Sequence, residues 1–97
     1  MNMQALMQQA QKMQRDITKK KDELNKKEFT GTSEMVDVVF TGDKKLSSVK
    51  IKVDIEPDDK DVLEDMITIA VNDAMEKIDK ETDKVLGAYS SQLGGLF

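Results

Sequence analysis

Lys12, Arg15, Lys19 and Lys26 are the residues of this chain best placed to act together. At about 100° per residue on a helix, the four lie within roughly 60° of one another. A row of cations on one face can follow phosphate oxygens without reading bases, which gives sequence-tolerant, salt-sensitive binding. The same residues can equally form a solvated face laced with pairs such as Lys19–Glu23 and Asp22–Lys26, because opposite charges four apart on a helix attract. Lys44, Lys45, Lys50 and Lys52 make a second basic group. Lysines on a strand either touch phosphate or block edge-to-edge pairing. No aromatic side chains are interleaved with these cations, so nothing points to a stacking platform for single-stranded nucleic acid.

Other chemistry is poorly supplied. The chain has no Cys and no His, which removes thiolate nucleophiles, the usual general base and the commonest transition-metal ligand. Asp54, Glu56, Asp58, Asp59 and Asp61 cluster, but Pro57 interrupts them and the Gly and distal Glu of a calcium loop are missing. Helix capping explains these acids, with Asp58 as the expected N-cap. Asn72 and Asp73 stand mid-helix among apolar neighbours with no partner for catalysis. Asn72 fits better as a polar residue that specifies how two helices pair. The expectation is a non-enzymatic protein with no cofactor, no metal and no small-molecule substrate.

The chain is 97 residues long, one domain by size. Three Phe, one Tyr and no Trp leave much of the apolar filling to seven Met, and Met packs adaptably but specifies shape poorly. A core this light favours two chains pooling their apolar surface. Net charge is −4, but it is unevenly placed. Residues 1–52 carry 11 Lys+Arg and 7 Asp+Glu, a balance of +4; residues 53–97 carry 4 and 12, a balance of −8. The N-terminus lacks the basic and apolar regions of a signal peptide, and no stretch approaches the ~18 apolar residues of a membrane span. The expected location is the cytoplasm.

Three sections position these residues. Residues 1–28 contain no Gly or Pro and read as a long helix. Met3, Leu6, Ala10, Met13, Ile17 and Leu24 form a narrow seam for packing on another helix, more often core than peptide groove. Lys20 and Lys27 fall on the later seam positions, so the last turns are expected to project into solvent. Residues 29–56 read as an antiparallel sheet. Val36, Val38 and Phe40 share one strand face, Val49, Ile51, Val53 and Ile55 another, Gly42–Lys45 make the turn between, and Phe29–Ser33 supply a first strand in which Gly31 permits a bulge or bend. Residues 58–86 read as a second helix, apolar over most of its circumference. Leu63, Met66, Ile67, Ala70, Ala74 and Ile78 form one stripe, with Val62, Ile69, Val71 and Met75 outside it. Such a helix is covered on two sides: its own sheet supplies one cover, and a second subunit is the simplest source of the other. Residues 87–97, with Gly87, Gly94 and Gly95, read as a flexible tail.

Several of these segments are similar to the bacterial YbaB/EbfC family. The resemblance is carried by Met7–Gln14 in the first helix, Phe29–Ser33, then Leu63–Ile67 and Ala70–Ala74 in the second helix, and Gly94–Phe97 at the end. One departure is Ser33-Glu34-Met35, where family members often have a glycine-rich turn. The resemblance implies an α+β fold: a long N-terminal helix, a three-stranded antiparallel sheet and a long C-terminal helix, intertwined as a homodimer with projecting helices. It implies association with the nucleoid and binding of double-stranded DNA with little sequence preference. Contacts would come from Lys12, Arg15, Lys19 and Lys26, with Lys44, Lys45, Lys50 and Lys52 secondary. Met3, Leu6, Ala10, Met13, Ile17, Ile69, Asn72 and Met75 are the expected dimer interface. The alternative is a protein–protein adaptor dimer that engages a basic partner through its acidic C-terminal half and tail, without touching DNA.

Overall fold

A computed structural model of the chain describes residues 2–93, with side chains through Tyr89. Helix α1 (Met3–Lys26) leads into strands β1 (Glu28–Thr32), β2 (Val36–Thr41) and β3 (Leu46–Ile51). A single 3-10 turn at Pro57–Asp59 then opens helix α2 (Lys60–Leu93). The strands form one antiparallel sheet in the order β1-β2-β3. This is the α-β-β-β-α order that the change of apolar period indicates.

The core lies between the sheet and α2. Val36, Val38 and Phe40 alternate inward from β2, beside Phe29 of β1, and meet Ala70, Ala74 and Ile78 of α2. Each large side chain buried there contributes about 1.5–3 kcal/mol. The layers meet at backbone distance at one point: a Cβ on Gly31 would lie 1.9 Å from the Ala70 carbonyl oxygen. Gly31 is therefore not a bulge or a bend but the seat of α2 on β1. Gly42 serves α1 in the same way. A Cβ there would lie 1.8 Å from the Leu24 carbonyl oxygen, and its N–H donates to the Lys27 carbonyl at 2.9 Å.

Four sequence expectations are corrected. The third strand was expected around Val49–Ile55 but ends at Ile51, because Ile51 pairs with Val36, the first residue of β2. Val53 and Ile55 have no strand to pair with beyond that point. The end of α1 that packs is also reversed. Ile17 and Leu24 are buried while Met3, Leu6 and Ala10 are exposed, so the N-terminal turns project. The later seam is closed by Lys27, which reaches Glu81 of α2 at 3.1 Å. Residues 87–93 of the expected tail are helical; residues 94–97 lie outside the described residues. Finally, Asp59 rather than Asp58 closes the start of the second helix, its carboxylate accepting the Glu56 N–H at 3.0 Å.

The turn at Ser33-Glu34-Met35 does without glycine because serine closes it. The Ser33 N–H and hydroxyl both donate to the Val36 carbonyl, at 2.8 and 3.1 Å, and the hydroxyl oxygen lies 3.2 Å from the Val36 N–H.

α2 covers β1 and β2 but not β3. Leu46, Val49 and Ile51 sit opposite Phe40, Val38 and Val36 in the ladder and so continue the same apolar face. Each is about half exposed. The outer edges also differ. On β1, Lys77 donates to the Thr30 carbonyl at 2.7 Å and the Thr32 N–H donates to Asp73 at 3.0 Å, so helix side chains close that edge. Among the described residues no such cover lies on β3.

Candidate nucleic-acid interface

α1 has the composition of a helix that stands by itself. Asn2 caps it, its side-chain oxygen accepting the Gln4 N–H at 3.0 Å, and 24 residues free of Gly and Pro follow. Only its C-terminal half packs against α2 and the sheet, so the molecule is 71 Å long and 21 Å across. Lys12, Arg15, Lys19 and Lys26 are all exposed on its outer face. The row spans about 21 Å at 1.5 Å per residue.

None of these four cations has a carboxylate within 4.0 Å among the described residues. The local pairs Lys19–Glu23 and Asp22–Lys26 do not form, so the charges of the stripe are not paired among the described residues. Lys20 and Lys21 are also exposed, but they lie toward the seam side of the helix, outside the 60° sector.

The hairpin lysines divide differently. Lys44 reaches Asp79 at 3.6 Å, Lys45 reaches Asp43 at 3.7 Å, and Lys52 reaches Asp37 at 3.0 Å. Lys52 also donates to the Thr32 hydroxyl at 3.2 Å, so it ties the end of the sheet together. Lys50 alone of this group stands exposed without an ion pair among the described residues. Lys44 has φ 66°, in the left-handed region a hairpin of this kind uses and glycine or asparagine usually fills.

Thr32 joins two acidic side chains that the sequence reading did not connect. Its hydroxyl donates to Asp37 at 2.6 Å and its N–H to Asp73 at 3.0 Å. The Thr32 hydroxyl, then Lys52, holds the Asp37 carboxyl below the usual range. The Thr32 N–H, then Lys77, does the same for Asp73. Carboxyls lowered in the folded state stabilise it above their unfolded values, and that contribution is lost as pH falls through the folded values. The protein is expected to lose stability below about pH 4, and the Asp37→Asn, Asp73→Asn variant to lose less over that range. Thermal melts from pH 6 to 2.5 measure this; parallel curves for the two proteins would refute it.

The expected dimer residues do not form one surface within the chain. Ile17 is buried and Met75 half-buried against the chain's own core. Met3, Leu6 and Ala10 are exposed on the projecting helix, with Met13 half-buried. A shallow groove follows the seam, lined by Leu6, Gln9, Ala10, Met13, Gln14 and Ile17. Ile69 and Asn72 lie exposed on α2, in a depression shared with Thr32 and Asp73. No helix among the described residues is long and apolar enough to cross a membrane.

Comparison with known proteins follows the same lines. The family model described as "YbaB/EbfC DNA-binding family" matches residues 1–93. A nucleoid-associated protein of Ligilactobacillus salivarius is 48% identical over 99 residues, covering 99% of this chain and 95% of the relative. One from Enterococcus faecalis is 45% identical over 97 residues, covering 97% and 93%. One from Streptococcus agalactiae is 45% identical over 96 residues, covering 96% and 97%.

Proposed function

The chain belongs to the YbaB/EbfC DNA-binding family, and from that premise we propose that it is a nucleoid-associated homodimer that grips double-stranded DNA through phosphate contacts, with little sequence preference. The observation that carries this reading is the row of Lys12, Arg15, Lys19 and Lys26 on a projecting helix, without counter-ions among the described residues. A basic row in an acidic protein is worth most close to the surface, because charges beyond about 8 Å are screened at physiological salt. Four of the eight acids of α2, Asp73, Glu76, Asp79 and Glu81, are matched to Lys77, Lys80, Lys44 and Lys27.

The bare face of β3 supports the dimer. Leu46, Val49 and Ile51 extend a sheet whose other two strands are covered by a helix, and Val62 and Ile69 of α2 are themselves exposed. A partner's α2 supplies the missing cover for β3, and reciprocal packing buries both apolar surfaces. Two chains then present two basic helices to one duplex. The location follows as cytoplasmic, at the nucleoid.

Two measurements test this. Fluorescence anisotropy of a labelled random duplex of about 30 base pairs should show saturable binding whose logarithm falls linearly with log salt. Absence of binding at low salt would sink the DNA reading and favour the adaptor. Sedimentation should give a dimer, and Val49→Asp with Ile51→Asp should give a folded monomer, because a charge buried at an interface costs several kcal/mol. A variant that remains dimeric would place the interface elsewhere.

A further inference from the structure

The exposed helix α1 has two unlike halves. Residues 2–14 carry six amide side chains and one charge, Lys12; residues 15–27 carry nine charges. Every residue from Asn2 to Lys12 is exposed. A surface that serves solubility alone carries mixed charge, as the second half does. The first half instead carries groups that donate and accept hydrogen bonds without charge, and the Asn2 cap holds them on a formed helix.

Three of these amides have a common direction. Gln4, Gln8 and Gln11 are spaced i, i+4, i+7, which puts them within about 60° of one another on the face that carries Arg15, Lys19 and Lys26. From tip to base that face runs amide, amide, amide, then Arg15, Lys19, the acid Asp22 and Lys26. Gln4 to Gln11 spans about 10.5 Å, close to three base-pair steps at about 3.4 Å each. A glutamine amide offers one donor and one acceptor in a fixed pair, which matches the N6 and N7 edge of adenine in the major groove. That groove is about 12 Å wide and admits a helix.

We infer that Gln4, Gln8 and Gln11 are specificity-determining residues: the tip of α1 enters the major groove and reads adenine-containing steps while Lys12, Arg15, Lys19 and Lys26 hold the phosphates. The inference rests on the DNA-binding reading above and locates whatever sequence preference accompanies it. The recognising groups are the amide side chains rather than the helix terminus, and three contacts of this kind give a modest preference.

The test is selection from a random duplex pool by the wild-type protein and by the Gln4→Ala, Gln8→Ala, Gln11→Ala variant. Alanine is the better helix former, so α1 stays intact in the variant. The wild type should enrich a short adenine-containing motif by about tenfold over unselected duplex, the discrimination of a single good bidentate contact. The variant should lose the motif yet bind unselected duplex within about twofold of wild type, with the same salt slope, because its phosphate contacts are unchanged. Two results overturn the inference and leave the DNA reading standing: a motif that survives in the variant, or a wild type that binds but enriches nothing. A wild type that binds no duplex overturns both.

Discussion

Replacing Lys12, Arg15, Lys19 and Lys26 by Gln should weaken duplex binding at least a hundredfold at 100 mM salt and flatten its salt dependence. The estimate follows from counter-ion release. A dimer that sets up to eight of these cations on phosphates has a slope of log affinity against log salt near −7, at about −0.9 per contact. The quadruple variant should retain only the shallow slope of Lys50 and the flanking lysines. Gln removes the charge, stays polar and keeps the helix propensity, so circular dichroism and the melting curve should change little. Lys52→Gln is the contrasting control. That residue spends its charge on Asp37 and Thr32 inside the fold, so its loss should lower stability and leave the DNA slope nearly as it was. Equal slopes for wild type and quadruple variant would move the interface off α1.

The division between Lys52 and the α1 stripe also marks how far the sequence could be read. The cations of the stripe were legible because they repeat with the period of a helix, a local property. Which cations were already matched was not legible, because Lys52–Asp37, Lys44–Asp79 and Lys27–Glu81 join residues 15 to 54 positions apart. The local pairs of the alternative reading, Lys19–Glu23 and Asp22–Lys26, do not form. The element order was legible for the same local reason, since the apolar period switches from helix to strand and back. Strand ends were not. Val49 to Ile55 alternate throughout, yet β3 stops at Ile51 because β2 begins at Val36, and a ladder ends where its partner ends. The seam of α1 shows a further limit. Its most regular apolar positions are bare in the single chain while Leu24, between two lysines of the series, is buried. An apolar pattern does not by itself say which of its positions the chain's own elements cover.

Gly31→Ala should destabilise the protein by about 3 kcal/mol or more, beyond the usual range for adding one methyl group to a core. The reason lies in what the methyl would meet. Its nearest neighbours are the Ala70 carbonyl oxygen at 1.9 Å and the Ala74 nitrogen at 2.7 Å, backbone atoms that no rotamer change can remove. α2 must lift off β1, and the lift is felt along the whole contact. Ala74 and Ile78 separate from Val36 and Val38, while Asp73 and Lys77 lose the β1 edge that they close. At about 4–8 °C per kcal/mol for a domain of this size, the melting point should fall by at least 12 °C, measured at one protein concentration because the stability of the proposed dimer would depend on it. Gly87→Ala should act in the opposite direction. Gly87 is an exposed position within α2, and a Cβ there meets nothing within 4 Å, so alanine should add about 0.5–1 kcal/mol by its helix propensity. The two substitutions add the same methyl group to the same chain, and the sign of each follows from its surroundings alone. A tolerated Gly31→Ala would mean that α2 does not rest on β1 at backbone distance, and the close seat of the helix on the sheet would have to be abandoned.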